Sequence, residues 1–176
     1  MIDILVSGLM GIFGTVIGVL LSEFIRRKGK VKILVNSFKI EFYKTVEDIL
    51  GGFEELEDKE NPGAVRYSYE VDIFNLKEIH QNFNRVITLF QCENGEIIES
   101  SPYNANKYKV IAGKREYEKI KVLNIKPKEY ISLKLEDSIY DRNKIEKIKK
   151  YKKVYLSLSN IESNKEKRIL IKENNC

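Results

Sequence analysis

Residues 86–100 read VITLFQCENGEIIES. Two strand-like runs, ITLFQCE and EIIES, meet at Asn94-Gly95, the pair favoured in a type I′ hairpin because both central positions of that turn need positive φ. The stretch predicts an antiparallel hairpin, and the same period-two rhythm recurs on either side of it. Apolar and polar residues alternate at Phe38–Phe42 (FKIEF), Tyr67–Phe74 (YSYEVDIF), Tyr130–Leu135 (YISLKL) and Val154–Leu158 (VYLSL), with a shorter run at Ile169–Ile171. These runs are short and rich in Val, Ile, Tyr and Phe, which is the behaviour of half-buried strands. A second hairpin is expected where the polar stretch Asn160–Lys167 separates VYLSLS from RILIKE. Seven or eight strands with turn chemistry between them predict a mainly β chain, folded as two packed antiparallel sheets.

Three stretches depart from this rhythm. Thr45–Glu60 is acidic and broken by Gly51-Gly52, and fits one or two helical turns or a loop crossing between sheets; Asn61-Pro62-Gly63 then ends it with strong turn chemistry. The segment between Ser100 and Glu118 is polar and carries Pro102 and Gly113, so a long irregular connection is expected there. Asp141–Lys153 predicts a short helix, with Asp141 as N-cap and Ile145 and Ile148 at helical spacing.

The front of the chain follows different physics. Ile4–Ser22 (ILVSGLMGIFGTVIGVLLS) carries no charge. At a rise of ~1.5 Å per residue this helix would be roughly 28 Å long, close to the ~30 Å hydrocarbon thickness of a bilayer. Its many Ile, Leu, Val and Phe residues favour insertion by on the order of 3–7 kcal/mol. A globular helix of this length would carry a polar face, and this stretch has none. The acidic start (Met1-Ile2-Asp3) and the lack of a small-x-small site argue against a cleaved signal peptide. An uncleaved transmembrane helix is expected over residues 1–25.

Its flank sets the orientation. Arg26, Arg27, Lys28, Lys30 and Lys32 form a basic juxtamembrane segment, residues 26–32, with no acid among them, whereas Asp3 is the only charged side chain ahead of the helix. The positive-inside bias places the N-terminus outside and residues 33–176 in the cytoplasm, as a single-pass protein of the inner (plasma) membrane. The net charge of +5 equals that of this flank alone, so the rest of the chain is neutral. The basic pI of 9.0 is therefore a membrane signature, with the flank expected on anionic lipid. Within the helix, Ser7, Gly11, Gly14, Gly18 and Ser22 fall on one side of the wheel. Small residues there allow close helix approach, so self-association or pairing with a partner membrane protein is expected.

Length and composition bound the chemistry. A chain of 176 residues with 43% hydrophobic content can bury a core without disulfides or metals. Two cysteines and one histidine exclude a disulfide scaffold and a Cys/His zinc site. His80 lies in the polar stretch LKEIHQNFN, no G-x-S-x-G or phosphate loop is present, and GGFEEL at 51–56 is not one. No catalytic residue, metal or cofactor is expected. A second basic run, Lys147, Lys149, Lys150, Lys152 and Lys153, reads first as a solvated face, then as a ligand or lipid patch, and least as a nucleic-acid surface; nucleic acid is not an expected partner.

VDIFNLKE at 71–78, followed by VITLF, and LNIKPKEYISLKL at 123–135 resemble the immunoglobulin-like β-sandwich of small bacterial membrane proteins, where a strand ends at an Asn (here Asn75) and a step like Ile125–Leu135 precedes a later core strand. The resemblance spans roughly residues 31–173. The chain lacks the Trp and paired Cys of antibody-type domains. The resemblance implies a fold and no chemistry. Together these readings predict a membrane-anchored, non-enzymatic cytoplasmic module that binds a protein or small ligand. The competing expectation is an oligomeric membrane effector of the bacterial conflict or phage-defence type, in which the sandwich senses a partner and the helix perturbs the bilayer.

Overall fold

The computed structural model describes residues 2–47 and 53–174, with the side chains of residues 2–10, 53 and 114 outside that description. A helix, α1 (Ile2–Arg27), leads directly into the sheets. Eleven strands follow among the described residues: β1 (Val31–Glu47), β2 (Phe53–Glu57), β3 (Ala64–Asn75), β4 (Gln81–Cys92), β5 (Ile97–Ser100), β6 (Tyr103–Ile111), β7 (Lys114–Lys119), β8 (Leu123–Ile125), β9 (Tyr130–Ile139), β10 (Tyr151–Asn160) and β11 (Glu166–Glu173). A short helix, α2 (Arg142–Ile148), joins β9 to β10.

The strands form two antiparallel sheets. One has the order β2-β1-β3-β9-β6-β7; the other has β11-β10-β4-β5, with β8 beside the start of β4. All pairings are antiparallel. The period-two pattern is realised most cleanly in β3, where Val65, Tyr67, Tyr69, Val71 and Ile73 all point inward and are buried. Leu133 and Leu135 of β9 extend that face, and Phe83, Val86 and Phe90 of β4 with Val154, Leu156 and Leu158 of β10 close it from the other sheet. Phe90 meets Tyr67 edge-on, with ring centroids 5.1 Å apart. Burial of these large side chains is the main favourable term holding the sheets together. The result is the β-sandwich the rhythm predicted.

Polar groups inside this core are paired across it. The Tyr67 hydroxyl donates to Ser100 Oγ at 2.8 Å, Ser100 Oγ donates to Asp137 Oδ2 at 2.5 Å, and the Tyr69 hydroxyl lies 2.9 Å from Thr88 Oγ1. Burial raises the pKa of both tyrosines, so they stay neutral hydrogen-bonding groups.

Several local expectations change. Thr45–Glu60 is neither helix nor plain loop: β1 runs on to Glu47 and β2 returns against it, pairing Glu57 with Tyr43 and Glu54 with Val46; Asp48–Gly52 lie outside the described residues. The stretch after Ser100 forms the β6–β7 hairpin. Its tip, Ala112-Gly113, has positive φ at both positions (50° and 78°), the type I′ signature. At Asn94-Gly95 only Gly95 has positive φ; Gly95 N–H bonds to Cys92 O and Cys92 N–H to Glu96 O, so this hairpin closes through a longer turn with a left-handed glycine. In α2 the Asp141 side chain caps Lys144 N–H, as expected, while Tyr151 belongs to β10.

Sandwich pairing begins at Val31, two residues before the expected boundary. Among the described residues no helix is long and apolar enough to cross a membrane. The expected span Ile4–Ser22 falls in part on residues 4–10, whose side chains are outside the description.

Candidate functional site

Strand directions give the sandwich two ends. β1 and β11 start, and β3 and β10 finish, at the end where α1 enters. β1, β4 and β9 finish at the other, where α2 lies. The twelve residues of β3 put these ends about 40 Å apart.

The entry end is tied together by one side chain. Asn75 is fully buried, and its Nδ2 donates to the carbonyls of Ile79 (2.8 Å), Ile125 (3.2 Å) and Lys126 (2.8 Å), while its Oδ1 accepts from Lys77 N–H. The two segments that carried the resemblance thus meet at this residue. α1 and the link that follows it are fastened to the same turn: Glu78 N–H donates to Arg26 O in the helix's last turn and Leu76 N–H to Lys30 O beyond it. Gly29 makes this approach possible. It has φ +116°, and a Cβ there would lie 2.7 Å from Leu76 O.

These loops enclose a cavity of about 440 Å³, walled by Val31, Ile79 and Phe83 and by basic side chains from three separate stretches of chain. Arg27 is held by Glu23 at 2.8 Å, which lowers the Glu23 pKa first through that hydrogen bond. Lys30, Lys77 and Lys165 have no acidic partner among the described residues. Of the expected lipid-contacting residues, Arg27 and Lys30 therefore line this cavity, whereas Arg26 and Lys28 are exposed beside it and Lys32 is exposed on β1.

A second cleft, about 850 Å³, lies between the β6–β7 hairpin and the Lys119–Leu123 segment, over Leu123 and Leu133. Tyr103 stacks on Tyr117 at 4.7 Å, and Arg115 lies over the Tyr108 ring. Burial raises the Tyr103 pKa to about 12. Beyond these aromatics the hairpin exposes Val110 and Ile111. Antiparallel pairing of Tyr103 and Asn104 with Glu136 and Leu135 sends β6 toward the α1 end.

The second basic run lies at the α2 end and is largely answered by acids. Lys147 Nζ pairs with Glu96 at 2.5 Å and Lys153 with Glu173 at 2.9 Å; Lys149 donates to Glu60 O at 2.8 Å and lies 3.4 Å from Glu146. Lys150 and Lys152 are exposed, with no ion pair among the described residues. Hydrogen bonding from Lys147 holds Glu96 below the ordinary carboxylate range.

In α1, Gly11, Gly14 and Gly18 have open space where a Cβ would be, Ser22 is exposed, and the Ser7 side chain is outside the description. Among the described residues nothing packs against this part of the helix, which bares Ile12, Phe13, Ile17, Leu20 and Phe24.

His80 is exposed, and the Cys92 thiol is buried, donates to Lys147 O at 3.4 Å and has its pKa raised chiefly by burial. Among the described residues no cluster of His, Cys, Asp and Glu is placed to hold a metal ion.

Comparison with known proteins gives a family. No curated protein sequence matches the chain. Solved structures that resemble it include an uncharacterized β-sandwich protein from Clostridium difficile (17% identity, 82% of this chain and 87% of that one, TM-score 0.39) and a putative ApaA protein from Bordetella pertussis (10% identity, 82% and 91%, TM-score 0.34). A structural-genomics target is also similar (13% identity, 81% of each chain, TM-score 0.39). The family model of the YopI Ig-like domain matches residues 29–172, nearly the whole sandwich, and the chain belongs to that family.

Proposed function

We propose that the protein is a single-pass, membrane-anchored interaction module of the inner membrane, with its N-terminus outside and its immunoglobulin-like sandwich in the cytoplasm. The observation that supports this reading is the bare apolar helix. α1 continues into the sandwich, yet its side chains Ile12, Ile17, Leu20 and Phe24 stay more than half exposed. Such a helix in water would expose a large apolar surface on every side, and lipid removes that cost. Its basic exit, Arg26 to Lys32, matches the headgroup layer of a cytoplasmic leaflet. The reading assigns no catalytic step. The cleft beside the β6–β7 hairpin and the unpaired sheet edges are the surfaces it gives to a protein or small ligand.

The test is extraction and protease accessibility of the full chain in cells. The protein is expected in the membrane fraction after alkaline carbonate washing, with the sandwich degraded only once the cells are opened. Recovery in the wash, or digestion of the sandwich in intact cells, defeats the reading.

A second reading rests on the open space along Gly11, Gly14 and Gly18. A second helix seated there would make an oligomer, and an oligomeric effector would act on the bilayer itself. This reading expects crosslinked oligomers in membranes that disappear in Gly14→Leu and Gly18→Leu, together with a loss of membrane potential on expression. A monomer, or an unchanged potential, removes it.

A further inference from the structure

The cavity at the α1 end gathers more cations than the acids beside it answer. Arg27, Lys30, Lys77, Lys165 and Lys167 face it against one acid, Glu162. Arg27 is already engaged by Glu23, and Lys167 Nζ donates to Val31 O at 2.8 Å. The remaining lysines converge from three stretches: the Gly29 junction carries Lys30, the turn tied by Asn75 carries Lys77, and the β10–β11 loop, held by Ile161 N–H on Asn82 O, carries Lys165. Their convergence is a product of the fold, since they are scattered over some 140 positions of sequence. Like charges in a concave, partly apolar site repel one another and focus a positive potential into it. Burial lowers the Lys167 pKa, and the charge of Lys30 adds to it. An anion in the cavity would offset the repulsion among these cations.

We infer that this cavity binds a phosphate group, presented either by an anionic lipid headgroup or by a free phosphate. Several lysines are point-charge donors suited to an oxyanion carrying one to two charges on three or four oxygens. A volume of about 440 Å³ also leaves room for the group esterified to the phosphate. The lipid source rests on the anchor reading and deepens it. Arg27 lies about 7.5 Å along the helix beyond Ser22, at the headgroup level of a bilayer whose hydrocarbon edge is near Ser22. A single lipid held at this point would fix the sandwich's orientation on the membrane, which a flexible basic tail would not.

The test follows thermal unfolding of the full chain in uncharged detergent micelles. The additions are inorganic phosphate, phosphatidylglycerol doped into the micelles, phosphatidylcholine as the neutral lipid, and chloride at matched ionic strength. A saturable rise in Tm of about 3 °C or more is expected with a phosphate-bearing anion and not with chloride or phosphatidylcholine. A rise with phosphatidylglycerol alone assigns the site to a lipid headgroup, and a rise with inorganic phosphate as well assigns it to phosphate itself. The rise is expected to vanish in Lys77→Gln/Lys165→Gln and persist in Lys150→Gln/Lys152→Gln at the far end. Lysine acylation of the wild-type chain provides a readout independent of variant folding: the anion should slow modification of Lys77 and Lys165 relative to Lys150 and Lys152. No rise with either anion, an undiminished rise in the Lys77/Lys165 variant, or unprotected lysines overturns the inference. A chain that binds phosphate but washes out of membranes would keep the site and lose the anchor.

Discussion

The two ends of the sandwich carry similar lysine-rich sequence and arrive at opposite electrostatics. At the α2 end, Lys147, Lys149 and Lys153 meet Glu96, Glu146 and Glu173, and Lys44 meets Asp58 at 2.9 Å. At the α1 end, Lys30, Lys77 and Lys165 have no such partners among the described residues, and the turn that carries Lys77 is tied to Ile125 and Lys126 by a neutral residue, Asn75. A run of lysines in sequence becomes a field only where folding brings no acids to it. In the more conspicuous run, residues 142–153, the fold answers Lys147, Lys149 and Lys153 with acids.

The comparison breaks most visibly at Asn75. Replacing it with Ala leaves the carbonyls of Ile79, Ile125 and Lys126 and the N–H of Lys77 without their bonds in a buried setting. Each unsatisfied buried group costs ~1–3 kcal/mol, with partial recovery through water. Asn75→Ala should lose about 3 kcal/mol in urea unfolding followed by far-UV circular dichroism. It should also weaken phosphate binding, because the turn carrying Lys77 loses its tie to Ile125 and Lys126. A loss below 1 kcal/mol would mean the α1 end is held some other way.

Gly29→Ala comes next. The new Cβ would collide with the Leu76 carbonyl from a left-handed backbone, so the junction must shift, at a cost of about 2 kcal/mol. Hydrogen exchange should rise at Leu76 and Glu78, whose amides donate to Lys30 and Arg26, while the α2 end keeps its protection. Uniformly raised exchange would contradict a local junction.

How much of this was legible depended on whether a segment buries one face. β3, β9 and β10 alternate because each lays one side against the core, and that alternation is printed in the sequence. β2 and most of β6–β7 escaped notice because their described residues are largely exposed, leaving no buried face to enforce period two. Turn chemistry was readable as position and less so as type. Asn94-Gly95 does mark a hairpin, but its closing bonds lie at Cys92 and Glu96, while the type I′ turn falls at Ala112-Gly113, where Ala is a poor choice for positive φ. Ala112→Asn should therefore stabilise the hairpin by about 0.5–1 kcal/mol, read as added amide protection in β6 and β7. The cavity at the α1 end was half legible: Arg27 and Lys30 belong to the basic flank, whereas Lys77 and Lys165 share no motif and reach it only through folding.

The smallest effect tests the neutralised end. Glu96 and Asp58 have pKa values held below their ordinary 4.5 and 3.8, Glu96 first by the Lys147 hydrogen bond and Asp58 first by the Asn61 backbone N–H and then by Lys44. A carboxylate whose folded pKa is depressed contributes stability that is fully present above its unfolded pKa and lost as pH falls through the folded one. Stability should therefore be flat from neutral pH down to about 4.5 and decline below it. The α2 end should lose protection first, since protonation removes the carboxylates that hold Lys147 and Lys44, whereas the Asn75 ties of the α1 end carry no charge. Glu96→Gln/Asp58→Asn should flatten that decline while shifting the neutral-pH midpoint only slightly, because solvent screens these exposed pairs. An acid transition that began at the α1 end would reverse the contrast between the two ends.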